Sequence, residues 1–143
     1  GLPTGTMVEE EQASKEASGK SFHKQLFTIN GFNAYNDKYG FVAGNDVLNY
    51  AGSIIHKTVS QLGTPDDFLG VIGDDFVIMT HAEDPKKLET TAIDQFNQEV
   101  KAFYAFMDVE AGGIMVNENT ADAKLIPFMT MTCTTTAYTP AKK

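Results

Sequence analysis

The sequence predicts an α+β sandwich in which helices flank a mainly antiparallel sheet, with an extra hairpin near the C-terminal end. Three observations lead there. Two stretches carry apolar residues at helical spacing, one from Phe41 to Gln61 and one from Asp84 to about Tyr104. Between them stand two short apolar runs joined by Gly73-Asp74-Asp75, which is hairpin-turn composition. Strand-like segments at 22–30 and in the last third complete the order β, α, β, β, α, β. That is the order of a ferredoxin-like sandwich with its helices on one face of the sheet.

Each element has its own justification. The first 20 residues, GLPTGTMVEEEQASKEASGK, are polar and acidic, and read as a solvated helix capped by Thr6 or as a frayed arm. Phe22–Asn30 alternates in part and runs into the turn-prone Asn30-Gly31. In the first long helix, residues 47, 48, 51, 54, 55 and 59 form the apolar stripe, and Gly63-Thr64-Pro65-Asp66 stops it. The hairpin strands are Phe68–Ile72 and Phe76–Met79. Asp84-Pro85 opens the second helix, whose inner face is Leu88, Ala92, Phe96, Val100 and Phe103. Ile114–Val116 and Leu125–Thr136 read as two strands joined by the polar loop 117–124, and the many threonines favour extension. Cys133, Met129 and Met131 read as strand packing, with Cys133 buried. With no repeat and no low-complexity linker, residues 1–143 are expected to form one domain, with 1–20 as arm or helix and 113–125 as an inserted hairpin.

Composition narrows the function. The net charge is −8, and all 11 basic residues are lysine. A chain without arginine lacks the fork that grips phosphates and reads guanine edges, which disfavours nucleic acid as a partner. One cysteine allows no internal disulfide, and His23, His56 and His81 show no ligand spacing. These histidines read as surface or edge residues. No apolar run approaches the roughly 18 residues a membrane helix needs, so the expectation is a cytoplasmic domain without membrane insertion.

Three segments carry the chemistry: Thr28-Ile29-Asn30-Gly31-Phe32-Asn33, the block from Asn36-Asp37 through Gly40 and Gly44-Asn45 to Leu48, and Ile72-Gly73-Asp74-Asp75-Phe76. Together they resemble the GGDEF, or diguanylate cyclase, family. That family has Asp-x-Asp-x-Phe-Lys at the end of its first strand, then Asn-Asp-x-x-Gly-His-x-x-Gly-Asp-x-x-Leu, then Gly-Gly-Asp/Glu-Glu-Phe in its hairpin. The opening Gly1-Leu2-Pro3 is similar to the family's start. Residues 96–104 and 126–130 resemble a subset with an inserted hairpin before the last core strand. The implied fold is the nucleotidyl-cyclase form of the ferredoxin-like sandwich. The implied reaction condenses two GTP into cyclic di-GMP on two metal ions.

The resemblance assigns roles residue by residue. Asn36, Asn45 and Gly73 take the nucleotide-binding positions, Asp74 and the Ile29 carbonyl the metal positions, and Asp75 the catalytic position if the domain is active. Departures are as informative. Thr28 stands where the family has a metal-binding aspartate, and Ile72 where glycine lets a phosphate approach the backbone. Asn45 replaces a guanine-reading aspartate, Phe41 a histidine and Asn33 a lysine. Gly63 replaces the arginine of the Arg-x-x-Asp inhibitory site, which leaves only Asp66, so no inhibitory site is expected. The family's terminal basic helix is expected to be missing after Thr139-Pro140.

Asp74-Asp75 is also plain turn chemistry, and Asn36 and Asn45 would serve equally as a helix-entry turn and a cap. The expectation is therefore a degenerate, inactive GGDEF-like domain acting as a regulatory or protein-interaction module in bacterial cyclic-dinucleotide signalling. Two alternatives stand beside it: a nucleotidyl cyclase of weak or altered specificity, and a GTP sensor without turnover. No cofactor is expected unless the residual site works, when it would be Mg or Mn. The expected partners are other signalling domains or proteins, with weak GTP binding and homodimerisation left open.

Overall fold

The computed structural model describes residues 2–140. Its main sheet has four strands in the order β2-β3-β1-β6. These are β1 (Phe22–Asn30), β2 (Phe68–Ile72), β3 (Asp75–Thr80) and β6 (Thr130–Tyr138), and every neighbouring pair is antiparallel. A separate two-stranded hairpin joins β4 (Gly113–Val116) to β5 (Lys124–Pro127). The helices are α1 (Thr6–Ala17), α2 (Phe32–Tyr39), α3 (Phe41–Leu62), α4 (Pro85–Glu99) and α5 (Phe106–Ala111). None of the described helices is long and apolar enough to cross a membrane.

Strand alternation divides the core between the two sheet faces. Phe27, Ile29, Phe76 and Ile78 point to one face and pack with Val47, Ala51, Ile54 and Ile55 of α3 and Leu88, Ala92 and Phe96 of α4. Phe22, Val77 and Met79 point to the other, where Val8 of α1 meets them. The central strand β3 is buried from Phe76 to Thr80, because helices stand on both sides of it. Helices on one face only is thus corrected. The N-terminal segment is the solvated helix rather than a frayed arm, and it is docked at two points: Val8 and Lys15 are buried, and the Lys15 ammonium donates to the Asp66 carbonyl at 2.7 Å. Gly5, not Thr6, occupies its cap.

The expected strand 125–136 is two strands in different sheets. Pro127 ends the pairing with Gly113, and the Phe128 ring packs edge-on against Tyr104 with centroids 4.9 Å apart. The Met129 N–H donates to the Tyr104 hydroxyl at 2.8 Å, which anchors the crossover before β6 joins β1. The helix expected to reach Tyr104 ends at Glu99 and tightens into a 3-10 turn, Val100–Phe103. Met129 and Met131 are buried as expected, whereas Cys133 is only half-buried. Two short helices, α2 and α5, had no sequence signal of sufficient length to show periodicity.

Candidate functional site

The site forms where the end of β1, the start of α2, the first turns of α3 and the β2–β3 turn converge. Gly31, with φ +81°, closes β1 and starts α2 in a conformation that a side chain would strain. Gly73, with φ +60°, is the first of two turn residues between the paired Ile72 and Asp75, the position that a II′ hairpin reserves for glycine.

Two adjoining cavities result, and Asp74 lines both. The smaller, about 260 Å³, is bounded by Thr28, Ile29, Gly31, Asn33, Asp74 and Asp75. Thr28 and Asp75 lie one step beyond the Phe27–Phe76 pair, which brings them side by side. The larger, about 550 Å³, runs between α3 and the hairpin, with Asn45, Gly73 and Asp74 at one end. Its floor is apolar, and Gly52 makes room for it: a Cβ there would lie 3.1 Å from the Phe76 ring. The structure therefore gathers Thr28, Ile29, Asp74 and Asp75 in one cavity and Asn45, Gly73 and Asp74 in the next.

Asn36 lines neither cavity. It sits on α2, with its side-chain oxygen so close over Gly44 that a Cβ at Gly44 would overlap it. Asn45 is not a cap. Gly40 caps α3 and Asn45 lies in the helix beyond its first turn, exposed toward the groove. Sequence reasoning missed the rest of this wall: Asn49, Ser53 and His56 follow Asn45 along α3, and Leu2 closes the far side. Their spacing along the helix is the signal that could have found them.

What fixes α2 was also missed. The Tyr35 and Tyr39 rings stack 4.5 Å apart, with Tyr104 edge-on to both. The Tyr35 hydroxyl donates to the Phe103 carbonyl at 2.7 Å, and burial pushes its pKa up to about 12. Asp108 of α5 is buried and accepts from Lys38 Nζ at 2.7 Å and from the Tyr39 hydroxyl. The Lys38 hydrogen bond, then that of Tyr39, holds the Asp108 carboxyl below its usual range.

The smaller cavity meets the needs of a metal only in part. Thr28, the Ile29 carbonyl, Asp74 and Asp75 are hard oxygen donors of the type magnesium takes. Only two of them carry charge, and among the described residues no three carboxylates, imidazoles or thiols are gathered as a metal site. The donors do not fit a two-ion cluster. Gly63, which the resemblance aligns with the family's inhibitory arginine, lies in crowded surroundings. A Cβ on Gly63 would overlap Asp67 and lie 2.6 Å from the Val59 carbonyl. Asp67 in turn accepts from the Thr64 N–H at 2.9 Å and the Thr80 hydroxyl at 2.6 Å.

The family profile described as diguanylate cyclase, GGDEF domain, matches residues 6–126. The chain belongs to the GGDEF-domain family. Solved structures agree on the fold. The GGDEF domain of YfiN (TpbB) from Pseudomonas aeruginosa is similar at 14% identity and TM-score 0.67, over 96% of this chain and 72% of that one. The active GGEEF domain of a diguanylate cyclase from Vibrio cholerae is similar at 16% identity and TM-score 0.59, over 90% and 69%. SiaD of Pseudomonas aeruginosa, a diguanylate cyclase solved with its activator SiaC, gives 17% identity and TM-score 0.58 over 99% of this chain and 49% of its own. Among curated proteins, none matches this chain in sequence. A GGDEF domain places the chain within cyclic di-GMP signalling.

Proposed function

We propose that this GGDEF domain makes no cyclic dinucleotide and works as a cytoplasmic regulatory module that contacts other signalling domains or proteins. The observation that carries the reading is the smaller cavity. Where two bridging metal ions would need converging carboxylates, it offers Asp74 and Asp75 together with the neutral Thr28 hydroxyl. Asn33 adds no positive charge toward a triphosphate there, and Ile72 puts a branched side chain at the mouth of the turn. SiaD, a GGDEF protein solved with a protein activator, supports protein contacts as a role for such domains.

The test is incubation with GTP, and with a GTP/ATP mixture, in Mg²⁺ or Mn²⁺, followed by separation of products. No cyclic dinucleotide is expected. Sustained turnover would overturn the reading, and its loss in Asp74→Ala would place the metals at the hairpin.

A second reading, a nucleotide sensor without turnover, is favoured by the larger groove, whose 550 Å³ suits a base and ribose. GTP is then held weakly, at a dissociation constant on the order of a millimolar, or roughly −4 kcal/mol. The net charge of −8 opposes the approach of a polyanion.

A further inference from the structure

The main sheet ends on two strands whose outer edges are built differently. On β2 the Val71 N–H donates to the Pro3 carbonyl at 2.8 Å, and Thr4 bridges Val71 in parallel, so that edge is covered. At the opposite edge lies β6, which pairs with β1 alone among the described residues. Two anchors show which way its other backbone groups point. The Met129 N–H goes to the Tyr104 hydroxyl and the Met131 N–H to Asn97 Oδ1, both away from β1. Backbone direction alternates along an antiparallel strand, so Cys133, Thr135 and Ala137 also turn their N–H and C=O outward. Among the described residues these outward groups have no hydrogen-bond partner.

Edge strands are ordinarily blunted by a charge, a proline or a bulge. The nine residues of β6, TMTCTTTAY, contain neither charge nor proline, and their register with β1 runs unbroken. With a net charge of −8, two copies of this chain repel each other over most of their surface. Along β6 they can meet without like charges opposed. The strand also complements itself. Antiparallel pairing about Thr135 sets Thr135 against its own copy and Cys133 against Ala137, and uses the outward groups that Asn97 leaves free. On the face away from α4, the exposed Thr134 and Thr136 then stand opposite each other, a favourable cross-strand pair. Beside the axis, Glu89 accepts from the Thr135 hydroxyl at 3.4 Å and lies 3.3 Å from Lys86, whose side chain is 74% exposed. Each copy thus brings both signs to the contact, as an isologous two-fold interface tolerates best.

We propose that β6 pairs with β6 of a second copy of this chain, antiparallel and centred on Thr135, so that two four-stranded sheets become one continuous sheet. The experiment is sedimentation equilibrium, joined to amide hydrogen exchange followed by NMR. A reversible dimer with a dissociation constant below about 500 μM is expected. The Cys133, Thr135 and Ala137 amides should gain protection as concentration rises, while the exposed amides of the β4–β5 hairpin do not. Register is tested by charge. Thr134→Lys with Thr136→Lys sets lysine opposite lysine twice across the axis, and should weaken the dimer about tenfold or more. Thr134→Lys with Thr136→Glu sets opposite charges face to face in the same register, and should bring the constant back to within roughly threefold of the unaltered chain. Both positions are exposed, so each double variant should fold as the unaltered chain does.

Each other outcome overturns the proposal in a distinguishable way. A chain that stays monomeric to about 500 μM removes the second copy as the occupant of this edge. A dimer in which the Cys133, Thr135 and Ala137 amides exchange as freely as in the monomer has its interface elsewhere. So does one that the paired lysines leave intact. A dimer broken by the lysine pair and not restored by the lysine–glutamate pair is not centred on Thr135.

Discussion

The two cavities that meet at Asp74 were shaped by different constraints. The larger one is floored by the core: Phe76 is buried, Gly52 faces it, and Val71 and Leu48 pack against the same cluster. The fold cannot lose that surface without losing stability. The smaller one is assembled from turn and strand-end residues, and Asp74, Asn33 and Gly31 are exposed. Nothing in the packing requires a carboxylate at Thr28 or a glycine at Ile72. The larger cavity is therefore tied to the core along its floor, whereas the smaller one shares Ile29 and Phe32 with the core and takes the rest of its lining from turn and strand-end residues.

That contrast can be broken by measurement. Phe76→Ala should cost about 3–5 kcal/mol in urea unfolding, the loss expected for truncating a buried core aromatic. Asp74→Ala should stay within roughly 0.5 kcal/mol, as befits an exposed turn residue. A comparable loss at Asp74 would mean that the smaller cavity is also structural. The next effect is Gly44→Ala, expected to cost about 1–3 kcal/mol because the added methyl overlaps the Asn36 amide and crowds the Phe32 ring. The Asn36 side-chain resonances should move in the same variant, while those of Asp75 stay in place.

An effect smaller than that of Gly44→Ala concerns the clamp that holds α2. The Asp108 carboxyl has a depressed pKa in the folded chain, so its contribution is complete above the unfolded value near 3.8 and is lost as pH falls through the lower folded one. Lys38 is about half exposed, which limits the pair to less than about 1 kcal/mol. Unfolding midpoints measured between pH 6 and 3 should fall more steeply for the unaltered chain than for Asp108→Asn. Equal slopes would remove Asp108 from the clamp.

How much was legible in the sequence follows from the same division. The limits Phe22–Asn30 and Phe68–Ile72 were readable because alternation and turn residues are local signals. The long helix at 41–62 was readable from its stripe. The division of 125–136 into β5 and β6 was not, since it depends on Tyr104 receiving the Met129 N–H, 25 residues away in sequence. Asn36 and Asn45 could be placed near the site by motif. That Asn36 presses on Gly44 rather than lining the groove is a matter of three-dimensional contact. Asp67 escaped notice beside Asp66 because its partners, Thr80 and His81, lie across the hairpin.

The pairing of β1 with both β3 and β6 also sets a timetable for synthesis. Leu26 finds its β3 partner at Val77, but its β6 partner is Thr134. At a ribosomal rate of 5–20 residues per second, the stretch between those partners takes roughly 3–11 s to emerge. Throughout that interval one side of β1 has unpaired N–H and C=O groups, and the face later packed by Met129 and Met131 is open. The nascent chain thus passes through a half-built sheet in which β1 is the temporary edge, until β6 arrives to cover it. Chaperone occupancy during translation should peak before β6 is released, and fall once Tyr138 can reach Phe22.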